Sequence, residues 1–219
     1  MKSIVILISG RGSNMVALID AAASGALPVR VAAVLANRPD AKGLEVAAAA
    51  GVVTRVVDHR LYRDRESFDA AMAEAIDAYS PDLVVLAGFM RILSDGFVAH
   101  YEGRLINIHP SLLPSFPGLH THQRALDDGV RVHGCTVHFV TPTLDHGPIV
   151  VQAAVPVLDG DDATVLAARV LEQEHRIYPL AVRWFAEGRL RLEDGRVRLD
   201  APQEYASCLI SPLVTWRGP

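Results

Sequence analysis

The sequence predicts an α/β protein: an open, mostly parallel, twisted sheet with helices on both faces and an antiparallel addition toward its C-terminal part. Three observations carry this. Short β-branched runs alternate with helical stretches up to about Val132, the grammar of βαβ units. Several of those runs are continuously apolar, as strands are when both faces of a parallel sheet are covered. Beyond Val132 two apolar runs follow one another with no helix between them, which suits antiparallel neighbours.

The elements follow in order. The run Ile4-Val-Ile-Leu-Ile8 is too short to span a membrane and lacks a small-residue cleavage site, so it reads as a buried first strand, 3–8. Further strands are expected at 30–35, 54–57, 82–87, 105–108, 135–140 and 149–156. Helices are expected around 14–23, 43–50, 66–79, 94–101, 122–128 and 162–186. Within 66–79, Phe68, Met72 and Ile76 recur at helical spacing and read as core packing. The last two strands are joined by Thr141-Pro-Thr-Leu-Asp-His-Gly-Pro148. Residues 189–200 read as a hairpin around Glu193-Asp-Gly195. With no repeat or low-complexity linker, residues 1–200 are expected to form one catalytic domain, followed by a tail, 201–219.

Composition excludes several classes. Half of the residues are apolar, enough for a sizeable core, and a net charge of −4 with scattered basic residues gives no nucleic-acid footprint. No apolar run approaches a membrane span. Two cysteines make no disulfide framework and fit a reducing cytoplasm.

The densest chemical signal is Asn107-Ile-His-Pro-Ser-Leu-Leu-Pro114. Asn107 and His109 are two apart, so on a strand they point to the same side. One is a neutral hydrogen-bond donor and the other titrates near neutral pH. Pro110 ends the strand at the histidine. The pair suits a site that holds a developing oxyanion and manages a proton. Asp145, in the loop 141–148, would fix His109 and favour its charged form if the two met; an Asx turn before Gly147-Pro148 is the plainer use. The first loop, Ser9-Gly-Arg-Gly-Ser-Asn14, joins a strand to a helix. Its glycines allow close backbone approach, and the free amides at the helix start favour an anion such as a phosphomonoester. The spacing matches neither a Walker loop nor a dinucleotide fingerprint, and an ordinary capped turn would look the same. Gly88-Phe-Met-Arg-Ile-Leu93 follows a strong strand and offers either a slot for a flat ring or plain core packing. His120-Thr-His122 has a ligand-like spacing, but no H-E-x-x-H and no paired cysteines accompany it. His120, His122, His133 and His138 are read as supporting groups, and no metal site is expected.

With these residues in hand, the chain strongly resembles the phosphoribosylglycinamide formyltransferases, the folate-dependent glycinamide ribonucleotide transformylases of purine synthesis. The resemblance covers about residues 1–200. Besides the three motifs above, it rests on Val85-Leu-Ala-Gly88, Pro117-Gly-Leu-His-Thr-His122, Val137-His-Phe-Val140 and Asp145-x-Gly-Pro148. It implies a Rossmann-like formyltransferase fold and a catalytic set of Asn107, His109 and Asp145. It implies that Gly12, Ser13, Asn14 and Glu174 hold the ribonucleotide. It also implies that Arg65, Met90, Arg91, Ile92, Leu93, Thr141 and Leu144 hold the folate. The implied formyl donor is 10-formyltetrahydrofolate, with no metal, and the implied partners are small molecules acting on a cytoplasmic monomer or homodimer. A formyltetrahydrofolate deformylase or a non-catalytic folate or phosphoribosyl sensor would share parts of this pattern. The first strand starts at Ser3, which leaves no room for the regulatory domain expected ahead of a deformylase.

Overall fold

The computed structural model describes residues 1–200; the expected tail, 201–219, lies outside the described residues. Seven strands form one sheet: β1 (Lys2–Ile8), β2 (Val29–Ala36), β3 (Thr54–Val56), β4 (Leu83–Leu86), β5 (Leu105–His109), β6 (Val132–Phe139) and β7 (Ile149–Pro156). Their spatial order is β3-β2-β1-β4-β5-β6-β7. The first five are parallel, while β6 runs antiparallel to β5, and β7 to β6. The helices are α1 (Ser13–Ala23), α2 (Gly43–Ala49), α3 (Arg65–Asp77), α4 (Asp95–His100), α5 (Thr121–Asp127) and α6 (Ala163–Ala186).

β1 sits mid-sheet because every residue from Ile4 to Ile8 is apolar and fully buried. Its alternation divides the core. Ile4, Ile6 and Ile8 pack in the layer shared with α1 and α6, whereas Val5 and Leu7 pack with Phe68, Met72 and Ile76 of α3. The expected helical stripe of α3 is thus core packing. Asp64 caps α3, Ser94 caps α4 and Asp162 caps α6, each side-chain oxygen accepting a backbone N–H of the first turn. Tyr178 of α6 donates to the carbonyls of Leu86 and Ile106, at 2.8 and 3.2 Å, and so pins β4 beside β5.

β6 begins at Val132, three residues before the expected 135. His133 and Gly134 do not read as strand, but they pair with Val155 and Ala154 of β7. Gly134 suits a buried ladder here because a Cβ would lie 2.0 Å from the Ala153 carbonyl oxygen. The hairpin expected at 189–200 is present as β8 (Leu190–Glu193) and β9 (Arg196–Leu199). Its turn residues Asp194 and Gly195 both have positive φ, the twist-matched hairpin geometry.

Successive crossovers run outward in opposite directions from β1 and β4. The strand order therefore reverses between them, and a crevice opens at their C-terminal ends. The loops after β1, β4 and β5 all emerge there.

Candidate active site

The loop after β1 turns at Gly12, whose φ of +71° caps α1 in the left-handed region. α2 braces the loop from behind: the Gly43 N–H donates to the Gly10 carbonyl at 3.0 Å. Residues 9–14 and, opposite them, Ala87, Gly88 and Met90 enclose a cavity of about 240 Å³. Gly12, Ser13 and Asn14 therefore share one pocket. Glu174, from the middle of α6, joins them, since the Asn14 Nδ2 donates to its Oε2 at 2.7 Å. The Asn14 Oδ1 is buried without a partner among the described residues.

Burial raises the Glu174 carboxyl above the ordinary value of 4.5, and the Asn14 bond offsets only part of that. A carboxyl raised in this way binds more protons folded than unfolded, so stability falls as pH rises through that window. Glu174→Gln keeps an acceptor for Asn14 and removes the buried charge. Its Tm is expected to exceed the parent's at pH 8, with the gap closing as pH falls toward 4.5. Paired thermal scans check this.

The segment after β4 crosses the crevice. Met90 and Ile92 are exposed, while Leu93 packs on the α3-side core together with Val140. Leu144 is also exposed. Thr141 turns inward on its own loop, its hydroxyl donating to the Thr143 carbonyl at 3.3 Å. Arg91 lies over the Phe68 ring, 5.8 Å from its centroid, with its Nε buried and unpaired. Arg65 opens α3. The two arginines share a neighbour that the sequence did not single out. Asp69 is buried, accepts the Ser94 N–H at 2.6 Å, and feels both guanidinium charges. Burial nevertheless raises its carboxyl.

The third group forms where β5 ends. The His109 Nε2–H donates to the Phe116 carbonyl at 3.0 Å, and its Nδ1 faces the Asp145 Oδ2 at 3.5 Å. A carbonyl can only accept, so Nε2 carries the proton. The ring then presents an N–H to the carboxylate only as imidazolium. Contact with Asp145 is at ion-pair distance, longer than a direct hydrogen bond. Nor is the outer N–H of the ring free, because the Phe116 carbonyl takes it. Asn107 does not pair with His109. It sits opposite His138 in the β5–β6 register, and its Nδ2 lies 3.3 Å from the His138 Nε2. The His138 Nδ1–H donates to the Phe139 carbonyl at 2.9 Å, which leaves Nε2 as an acceptor. Burial holds this imidazole below the usual histidine range and so neutral. The Asn107 amide is thereby turned with its NH2 toward His138, and its second N–H remains to be donated. The His138 Nε2 also lies 3.9 Å from the Asp145 Oδ1. His138 thus sits between amide and carboxylate and orients the amide, but its bare Nε2 makes no hydrogen bond to Asp145.

Two devices hold this arrangement. The Thr136 hydroxyl donates to the Ser111 carbonyl and accepts from the Leu113 N–H and the Gln152 Nε2, which fastens the Pro-rich loop to β6 and β7. Asp145 itself has φ +52°, which Asp tolerates better than most residues, and its Oδ2 accepts the Gly118 N–H at 2.8 Å. Gly147 lets the loop return closely, since a Cβ there would lie 1.8 Å from the Phe139 carbonyl oxygen. Gly147→Ala is expected to cost about 1–3 kcal/mol and to lower kcat by displacing Asp145. Thermal unfolding and steady-state kinetics on one preparation check both.

Residues 2–182 match the family described as formyl transferase. The chain belongs to that family. It is 52% identical over 209 residues to the phosphoribosylglycinamide formyltransferase of Escherichia coli, which covers 94% of this chain and 99% of the relative. The crystal structure of glycinamide ribonucleotide transformylase 1 from Symbiobacterium toebii matches with a TM-score of 0.89 at 53% identity, over 91% of this chain and 94% of that one. A formyltetrahydrofolate deformylase from Burkholderia mallei is more distant, at 29% identity and a TM-score of 0.82, over 90% of this chain and 69% of that one. Within the formyl transferases the chain belongs with the phosphoribosylglycinamide formyltransferases, which are enzymes.

Proposed function

We propose that this enzyme moves the formyl group of 10-formyltetrahydrofolate to the amine of 5-phosphoribosylglycinamide, by direct acyl transfer at Asn107, His109 and Asp145. The observation that carries this is that His109 lies 3.5 Å from Asp145, while Asn107 and Asp145 both lie within 4 Å of the same His138 nitrogen. The cavity at Gly12, Ser13 and Asn14 takes the phosphate, and Glu174 takes the ribose hydroxyls. Met90, Ile92, Leu93, Thr141 and Leu144 hold the pteridine, and Arg65 and Arg91 complete the folate site. Residues 1–200 act as one catalytic unit, as a monomer or homodimer, in the cytoplasm.

The two pockets bring the amine and the formyl carbon together, a gain of up to about 7–11 kcal/mol when alignment is good. The neutral amine adds to the formyl carbon, and the carbonyl oxygen becomes an oxyanion. Asn107 donates its second N–H to that oxygen. The oxyanion replaces the Phe116 carbonyl as acceptor of the His109 Nε2–H, while Asp145, facing Nδ1, holds the ring in place. The C–N10 bond then breaks, and the proton lost by the attacking nitrogen reaches N10 through water. No acyl-enzyme is formed: the Ser111 hydroxyl donates to the Ser115 carbonyl at 2.6 Å and meets no base among the described residues.

The likeness to a deformylase keeps hydrolysis as a second reading. Incubation with 10-formyltetrahydrofolate, with and without 5-phosphoribosylglycinamide, separates the two by absorbance. Release of tetrahydrofolate that requires the amine supports transfer. Release without the amine supports hydrolysis, and no release in either case leaves a binding protein.

A further inference from the structure

One side chain joins the two pockets and has no part in the scheme above. Ser9, the residue after β1, is buried. Its hydroxyl oxygen accepts the Met90 N–H at 2.7 Å, and its own N–H donates to the Gly88 carbonyl at 3.1 Å. Both bonds cross from the loop of the anion cavity to the segment that opens the apolar slot. Ala87, Gly88 and Met90 are also the far wall of that cavity. The cavity and the slot therefore share one wall, and Ser9 is the side chain fastened to it. A hydroxyl has one proton and two lone pairs. Met90 uses a lone pair, and among the described residues no acceptor takes the proton. Ser9 itself lines the cavity, where a phosphate would present only acceptors.

We propose that Ser9 is a positioning residue that couples the two substrate pockets. It donates its proton to a phosphate oxygen in the cavity, and through the same oxygen atom it fixes the Met90 amide and with it the slot. This rests on the assignment of cavity and slot made above. A hydroxyl whose proton is engaged by an anion becomes a better acceptor, so a phosphate strengthens the Met90 bond. Coupling of this kind is reciprocal: a ring in the slot tightens the phosphate as much as the phosphate tightens the ring.

The test is a titration of ribose 5-phosphate with and without saturating tetrahydrofolate, on the parent, Ser9→Ala and Ser9→Thr. The parent is expected to bind ribose 5-phosphate about fivefold or more tightly when tetrahydrofolate is present. In Ser9→Ala that ratio falls to near one while each ligand still binds alone, and Ser9→Thr restores it. Should Ser9→Ala not fold, Ser9→Cys keeps the size with a weak donor and acceptor, and the same loss is expected. A residue that only shapes the turn would lower Tm and leave the ratio untouched. A ratio near one in the parent, or one preserved in Ser9→Ala, overturns the coupling. Failure of the parent to bind either ligand alone overturns the pocket assignment, and the coupling with it.

Discussion

Replacing His109 with alanine is expected to lower kcat by about a hundred- to a thousandfold, the usual consequence of removing one oxyanion donor, while the affinity for ribose 5-phosphate stays near the parent's. The split follows from the geometry. His109 ends β5, and its ring engages the Phe116 carbonyl and Asp145, whereas the anion cavity is built from the loops after β1 and β4. The ring is buried, and its loss leaves the Phe116 carbonyl without this donor, although Asp145 Oδ2 keeps the Gly118 N–H, so some fall in Tm is expected too. Steady-state kinetics and a phosphate titration on the folded variant separate the two effects. A folded variant with near-parental kcat would remove His109 from the mechanism.

Asp145→Asn is the cleaner probe of charge, with an expected fall in kcat of about a hundredfold or more. Asparagine tolerates the left-handed backbone at this position, and its amide oxygen can still accept the Gly118 N–H. The shape of the loop is kept and the negative charge is lost, so Tm is expected to change little. The His109 ring then faces a neutral amide across the present 3.5 Å. Because Asp145 acts through His109, the double variant His109→Ala/Asp145→Asn is expected to be scarcely slower than the worse single variant. Effects that multiply would mean that the two groups act separately.

Most of the frame is legible along the chain because its signals are local. Continuous apolar runs mark the parallel strands, since both faces of the sheet are covered. Glycine and proline mark the loops after β1, β4 and β5, and the spacing of two places Asn107 and His109 on one side of β5. Asp145 stands out only as a loop residue near other strand ends. The extent of β6 is less legible, because His133 and Gly134 belong to it through pairing with β7 and not through their own preference for strand.

By itself, the sequence determined the α/β alternation, the loops that could carry chemistry, and the residue types able to hold an anion, a flat ring and an oxyanion. Only the tertiary structure decided which of those groups meet. The antiparallel register sets His138 opposite Asn107 and within 3.9 Å of Asp145. The Pro-rich loop folds back so that the Phe116 carbonyl takes the outer N–H of His109. α6 delivers Glu174 to Asn14, 160 residues away in the chain. Each of these contacts depends on strand order and register, which are set by burial summed over the whole sheet and leave no mark at any one position.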